Sequence, residues 1–232
     1  MRGLKQAYGD SIAFFRQEFG STVFTAGWAF AGFVLLSFGA SLLFPQQADG
    51  IVEHFAQLLS QSGMSDRSGR IVFTALLLNN LFAMVMAIAY GLLPFIRLSA
   101  LTLGVNGATL GLFAGYYIHQ NIPLWKYLVG VLPHGIFEIT ALILSAALGL
   151  YLCRAVTTAL LKKQKGAVSA AVSRCGQTLL LWILPLLVVP AVCGGAYMLG
   201  YRQFSIHERL TYKNTGAKKK GQKKKRADDG EI

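Results

Sequence analysis

Between Ile71 and Leu152 the chain carries only three formal charges, Arg97, Lys126 and Glu138. A soluble core does not tolerate an apolar run of that length. Over the whole chain 14% of residues are charged and 54% hydrophobic, whereas a soluble domain averages about 25% charged. The deficit comes as successive apolar blocks of about 20 residues, the length that crosses the ~30 Å hydrocarbon layer of a bilayer as a helix. The expected fold class is all-α, a polytopic membrane helix bundle of about five transmembrane helices with short interfacial amphipathic helices.

Residues 1–20 lack the short basic start and directly following apolar run of a cleavable signal. Leu4, Tyr8, Ile12, Phe15 and Phe19 recur at helical spacing, which predicts an N-terminal amphipathic interfacial helix with Lys5 and Arg16 toward head groups. The transmembrane domain is expected over 21–200. Its first span covers about 21–44 and is ended by Pro45. A polar segment, 45–70, contains a short amphipathic stretch (Ile51, Val52, Phe55, Leu58, Leu59) and reads as an interfacial helix in a loop. Further spans are expected at about 71–93, 97–118, 125–152 and 178–200. A tight turn at Gly91–Pro94 separates the second from the third, and a basic link with Arg154, Lys162, Lys163, Lys165 and Arg174 precedes the fifth.

The net charge of +12 would suggest nucleic acid, but ten of the 22 Lys and Arg residues lie after Tyr201. The charge therefore belongs to a basic, disordered tail, 201–232, and no nucleic-acid partner is expected. Inside the cell such a tail would meet anionic lipid, and outside it would meet anionic wall polymer. With five crossings, one side carries nine basic residues and the other thirteen, ten of them in the tail. Short loops and early spans weigh most in the positive-inside rule, which favours a cytoplasmic N-terminus. Cys153, Cys175 and Cys193 show no metal-ligand spacing and read as small apolar fillers.

Polar residues inside the apolar run are the candidate site. A carboxylate at membrane depth costs about 2.5–3.5 kcal/mol even on the lenient insertion scale. Glu138 therefore faces protein or a wet cavity, with His134 one helical turn earlier on the same face. Asn79 and Asn80 lie near the middle of the second span, and Asn106 in the third. These five residues are expected to form an intramembrane polar cluster, acting either as interhelical glue or as a proton- or solute-handling site. Gly104, Gly107, Gly111 and Gly115 form a stripe that lets a neighbouring helix approach closely. Pro133 and Gly135 are expected to kink or break the fourth span, on the pattern of half-helices in transporters. Two candidate ligands do not make a metal site, and no nucleophile elbow, phosphate loop or paired carboxylates occur. No catalytic residue, metal or cofactor is expected, and the chain is expected not to be an enzyme.

The strings Leu76-Leu77-Leu78-Asn79-Asn80, Gly91-Leu92-Leu93-Pro94, Leu103-Gly104-Val105-Asn106-Gly107 and Leu132-Pro133-His134-Gly135-Ile136-Phe137-Glu138, followed by Ala146-Ala147-Leu148-Gly149, resemble the stage II sporulation protein M family. The close resemblance covers about 71–152, and the span pattern agrees over roughly 20–200. It implies a multi-pass protein of the bacterial cytoplasmic membrane that acts in engulfment during endospore formation. There it would anchor or recruit the sporulation D-type and P-type cell-wall hydrolases, so that cell-wall remodelling is done by its partners. The family also occurs in organisms that do not sporulate. The rival reading is a small transporter or channel in which His134 and Glu138 handle protons or solute. A third is lipid handling by the interfacial helices.

Overall fold

A computed structural model of the chain describes residues 2–62, 73–164 and 166–188, and the side chains of Pro133 and His134 lie outside the described set. So do the last residues expected in the fifth span, Cys193 and the basic tail. Every element among the described residues is helical. Helix α1 (Arg2–Phe14) passes through a π-helical turn (Phe15–Phe19) into α2 (Gly20–Leu43). Helix α3 (Pro45–Gln61) follows at once. Pro45 explains both events, because it cannot continue α2 and is well placed at the first position of α3. Helix α4 (Phe73–Ala89) closes in a 3-10 turn (Tyr90–Leu92), and α5 (Ser99–His119), α6 (Leu124–Lys162) and α7 (Ala167–Thr178) complete the chain as described, α7 running on to Val188 through a second π-helical turn.

Among the described residues three helices are long and apolar enough to cross a membrane, Lys5–Leu43, Gly135–Lys162 and Ala167–Val188. The expected count of about five would also need α4 and α5. The apolar part of α4 is the short stretch Leu77–Leu92, and four glycines and Asn106 dilute the hydropathy of α5. Three spans therefore stand on length and composition alone.

Two expectations for α6 need correction. Pro133 and Gly135 do not break it, since the helix runs without interruption for 39 residues. Proline removes one backbone donor, a local cost of about 3 kcal/mol, and the turns on either side keep their bonds. The basic link expected after 152 is not a loop either. Arg154 and Lys162 belong to α6, carried by helix-forming Ala, Leu and Arg residues. The helix ends where Lys163 and Gly166 take left-handed conformations, with φ of 51° and 84°. At about 1.5 Å per residue α6 is about 58 Å long, so it outreaches a ~30 Å hydrocarbon layer.

Helix α6 is the central post. Ala141, Ser145, Ala146, Ala147 and Leu148 at its middle are fully buried. Helix α4 packs parallel to it, as the pairings of Asn80 with Glu138 and of Gly91 with Gly149 show. Helix α5 folds back on it as a hairpin, with the Tyr127 hydroxyl donating to the Leu110 carbonyl at 2.9 Å. Helix α2 lies parallel to α5, because residues 104, 107, 111 and 115 meet α2 residues 30–41 in ascending order. Loops 93–98 and 163–166 therefore share one end of the bundle with the start of α2, and Phe44–Asp49 and the α5–α6 turn share the other. Outward-facing Phe24, Leu35, Leu36 and Leu43 are exposed, the apolar surface that lipid would cover.

Candidate functional site

The intramembrane pair is Asn80 and Glu138. Asn80 Nδ2 donates to Glu138 Oε2 at 2.8 Å, joining α4 to α6. The glutamate is 9% exposed, and its other oxygen, Oε1, is buried without a hydrogen-bond partner among the described residues. One carboxylate oxygen is thus held by a neutral donor and the other is open, an arrangement able to carry a proton or to accept one further donor. Asn79 and Asn106 do not join it. Asn79 is exposed, because consecutive residues on a helix point about 100° apart and only one of the two asparagines can face α6. Asn106 Nδ2 donates at 2.8 Å to the Thr102 carbonyl of its own helix. The side chain of His134 lies outside the described set. Among the described residues the polar cluster comes down to one interhelical pair, and no three His, Cys, Asp or Glu side chains there come together as metal ligands.

The glycine stripe faces α2. A methyl group at Gly104 would press the Phe33 ring at 3.1 Å, and one at Gly107 would meet the Phe30 carbonyl and Phe33 Cβ at the same distance. At Gly111 it would fall onto Ser37 Oγ and the Val34 carbonyl, and at Gly115 onto Ser41 Oγ. The contact tightens along the stripe until only hydrogen fits. A second close crossing, between Gly91 and Gly149, brings the α4 turn against α6; beside it Ser99 Oγ donates to the Ala87 carbonyl at 2.7 Å. Gly135 is buried, and a methyl group there would meet only side chains of its own helix, the nearest being Val131 Cγ1 at 3.0 Å.

Sequence reasoning missed two polar groups at the ends of the bundle. At one end Asp49 of α3 accepts from Gln120 Nε2 at 3.0 Å and meets His119 Nδ1 at 3.2 Å, while His119 Nε2 is buried and unpartnered among the described residues. Seventy residues separate these partners, so no spacing motif announces them; only the amphipathic pattern of 45–59 hinted that α3 lies down on a neighbour. At the other end Glu18 accepts from Arg174 and from the Tyr151 hydroxyl, and Trp182 Nε1 donates to Ser11 Oγ at 2.8 Å. Phe14, Phe19 and Tyr151 pack their rings there at 5.0–6.4 Å.

A profile described as stage II sporulation protein M matches residues 21–196. An uncharacterized protein of Methanocaldococcus jannaschii is 36% identical over 97 residues, which are 40% of this chain and 52% of that relative. The match thus spans about half of the relative's length. No solved structure matches. The profile covers α2 through α6 and runs on through α7, taking in the Asn80–Glu138 pair and both close glycine crossings: the chain belongs to the stage II sporulation protein M family.

Proposed function

We propose that this chain is a multi-pass scaffold of the bacterial cytoplasmic membrane that anchors or recruits peptidoglycan-remodelling partners during engulfment. The D-type and P-type sporulation hydrolases would be those partners, and the chain itself would catalyse nothing. One observation carries the reading. Among the described residues Asn80 is spent on Glu138 and Asn106 on its own helix, and these polar side chains do not come together in one cluster. Family membership supports a sporulation-related membrane protein.

A single feature favours the transport reading, the unpartnered Oε1 of Glu138. Both readings meet in one experiment on the full-length protein. Co-purification with the two hydrolases is measured for the wild type, Glu138→Gln and His134→Asn, and proton flux is measured in liposomes holding each variant. The scaffold reading expects both hydrolases to be captured by all folded variants, with no flux above protein-free liposomes. Flux that vanishes in Glu138→Gln while capture persists would overturn it, and so would failure of the wild type to retain either hydrolase.

A further inference from the structure

A cleft of about 470 Å³ opens at the end of the bundle where α2 begins, between the first turn of α2, the loop 93–98 and the far part of α6. Its charged lining consists of Arg97 and Arg154, with no carboxylate. The nearest acid, Glu18, is already engaged by Arg174 and Tyr151. Neither Arg97 nor Arg154 makes a contact ion pair among the described residues, and Glu18 acts on Arg154 only through space. Thr22 of α2 and Thr158 of α6 line the cleft from opposite walls, and their side chains make no hydrogen bond among the described residues. Two arginines without a contact ion pair, lining one cleft with threonines, supply a donor set suited to a phosphate, because guanidinium bonds phosphate oxygens in a planar, bidentate way.

The loop that presents Arg97 is held in place. The Phe95 N–H donates to Thr157 Oγ1 at 3.0 Å, and Cys153 Sγ approaches the Leu93 and Ile96 carbonyls at 3.3 and 3.6 Å. These contacts hold Phe95 at a φ of 67°, a conformation that non-glycine residues seldom adopt. The arginine therefore sits on a preformed support. Around the cleft the surface is apolar. Phe95 and Ile96 stand exposed just before Arg97, and on α2 Phe24, between Thr22 and Thr25, and Trp28, one turn further on, are an exposed edge-to-face pair 6.0 Å apart. Cations flanked by exposed aromatic rings mark the boundary of a bilayer. A ligand whose phosphate sits between the arginines can lay an acyl chain along Phe24 and Trp28.

We propose that this cleft is a phosphate-group site that takes the headgroup of an anionic phospholipid. It is separate from the basic tail and from the Asn80–Glu138 pair. The test uses the full-length protein in neutral detergent, with fluorescent phosphatidylglycerol as probe, phosphatidylcholine as control lipid and inorganic phosphate as competitor. The tail is silenced in the intact chain by changing Lys218–Lys220 and Lys223–Lys225 to Gln. Affinity for phosphatidylglycerol is expected to fall about thirtyfold in the Arg97→Gln/Arg154→Gln double variant, and about fivefold in each single one. Phosphatidylcholine binding is expected to stay unchanged. Both arginines are exposed, so the single variants carry the same reading should the double variant not fold. Equal affinity of wild type and folded variants, or equal affinity for the two lipids, would overturn the proposal. Displacement of the probe by millimolar inorganic phosphate would make this a soluble-phosphate site and overturn its assignment to lipid.

Discussion

A buried carboxylate with one open oxygen is costly by itself, and at Glu138 the neighbouring amide decides how costly. Interhelical hydrogen bonds inside membranes contribute only about 0.6 kcal/mol on average. Leaving a buried polar group with no partner costs about 1–3 kcal/mol. Removing the donor should therefore hurt more than neutralising the acceptor. Asn80→Ala, which strips Glu138 of its one bond, is expected to lower stability by about 1–2 kcal/mol. Glu138→Gln keeps an oxygen for Asn80 and removes the burden of burying a charge, so it should cost less or stabilise. Unfolding midpoints in mixed detergent micelles compare the two, and a larger loss in Glu138→Gln would show that the charge itself is needed. The sequence made Glu138 conspicuous because charge in an apolar run is visible without a structure. It did not reveal which asparagine answers it, since Asn79 and Asn80 differ only in helical phase and the phase is fixed by how α4 docks on α6.

Between α2 and α5 the distance of approach is set by what the glycines lack. Gly111 and Gly115 touch Ser37, Ser41 and the Val34 carbonyl so closely that a methyl group has no room, whereas Gly104 faces a ring that can turn aside. Gly111→Val is thus expected to push the helices apart and to cost about 1–3 kcal/mol or more, as overpacking does. Gly104→Ala should be the milder change. Gly130, on α6, meets nothing within 4 Å, so Gly130→Ala should be neutral or stabilise by up to about 1 kcal/mol through helix propensity. Thermal unfolding of the three variants tests the order, and a Gly111→Val protein as stable as Gly130→Ala would contradict the close crossing. The stripe was readable from spacings of three and four. Its partner was not, because α2 carries small residues on several faces, and the pair that meets the stripe, Ser37 and Ser41, follows the bulky Phe30 and Phe33. The mistaken break at Pro133 has a related origin. A proline's lost hydrogen bond is visible in sequence, but the packing that keeps a helix continuous across it is not.

At the scale of the molecule, the parallel pairs α2–α5 and α4–α6 and the α5–α6 hairpin assign each connection to an end. Asn121, exposed with a φ of 54° in the α5–α6 turn, and Gln164, exposed after α6, must lie at opposite ends of α6. That helix is long enough to separate them by more than the hydrocarbon thickness. In a chain whose three cysteines are replaced by alanine, Asn121→Cys and Gln164→Cys are expected to react with a membrane-impermeant maleimide from opposite sides in intact and opened cells. Labelling from the same side would mean that α6 lies along the surface and would undo the bundle as a membrane-spanning unit. A third label, at Ala217→Cys in the tail, addresses whether α7 crosses; composition leaves the number of crossings open because the asparagines of α4 and the glycines of α5 dilute the hydropathy of two helices whose outer faces are apolar. A crossing α7 puts Ala217 on the side of Asn121, and an α7 that does not cross leaves it with Gln164. The positive-inside rule gives opposite answers for loops and tail, so the outcome also tells which kind of charge governed insertion. If Ala217 and Asn121 both label in intact cells, the nine basic residues of loops and N-terminus outweighed the ten of the tail, and the Arg97–Arg154 cleft faces the cytoplasm.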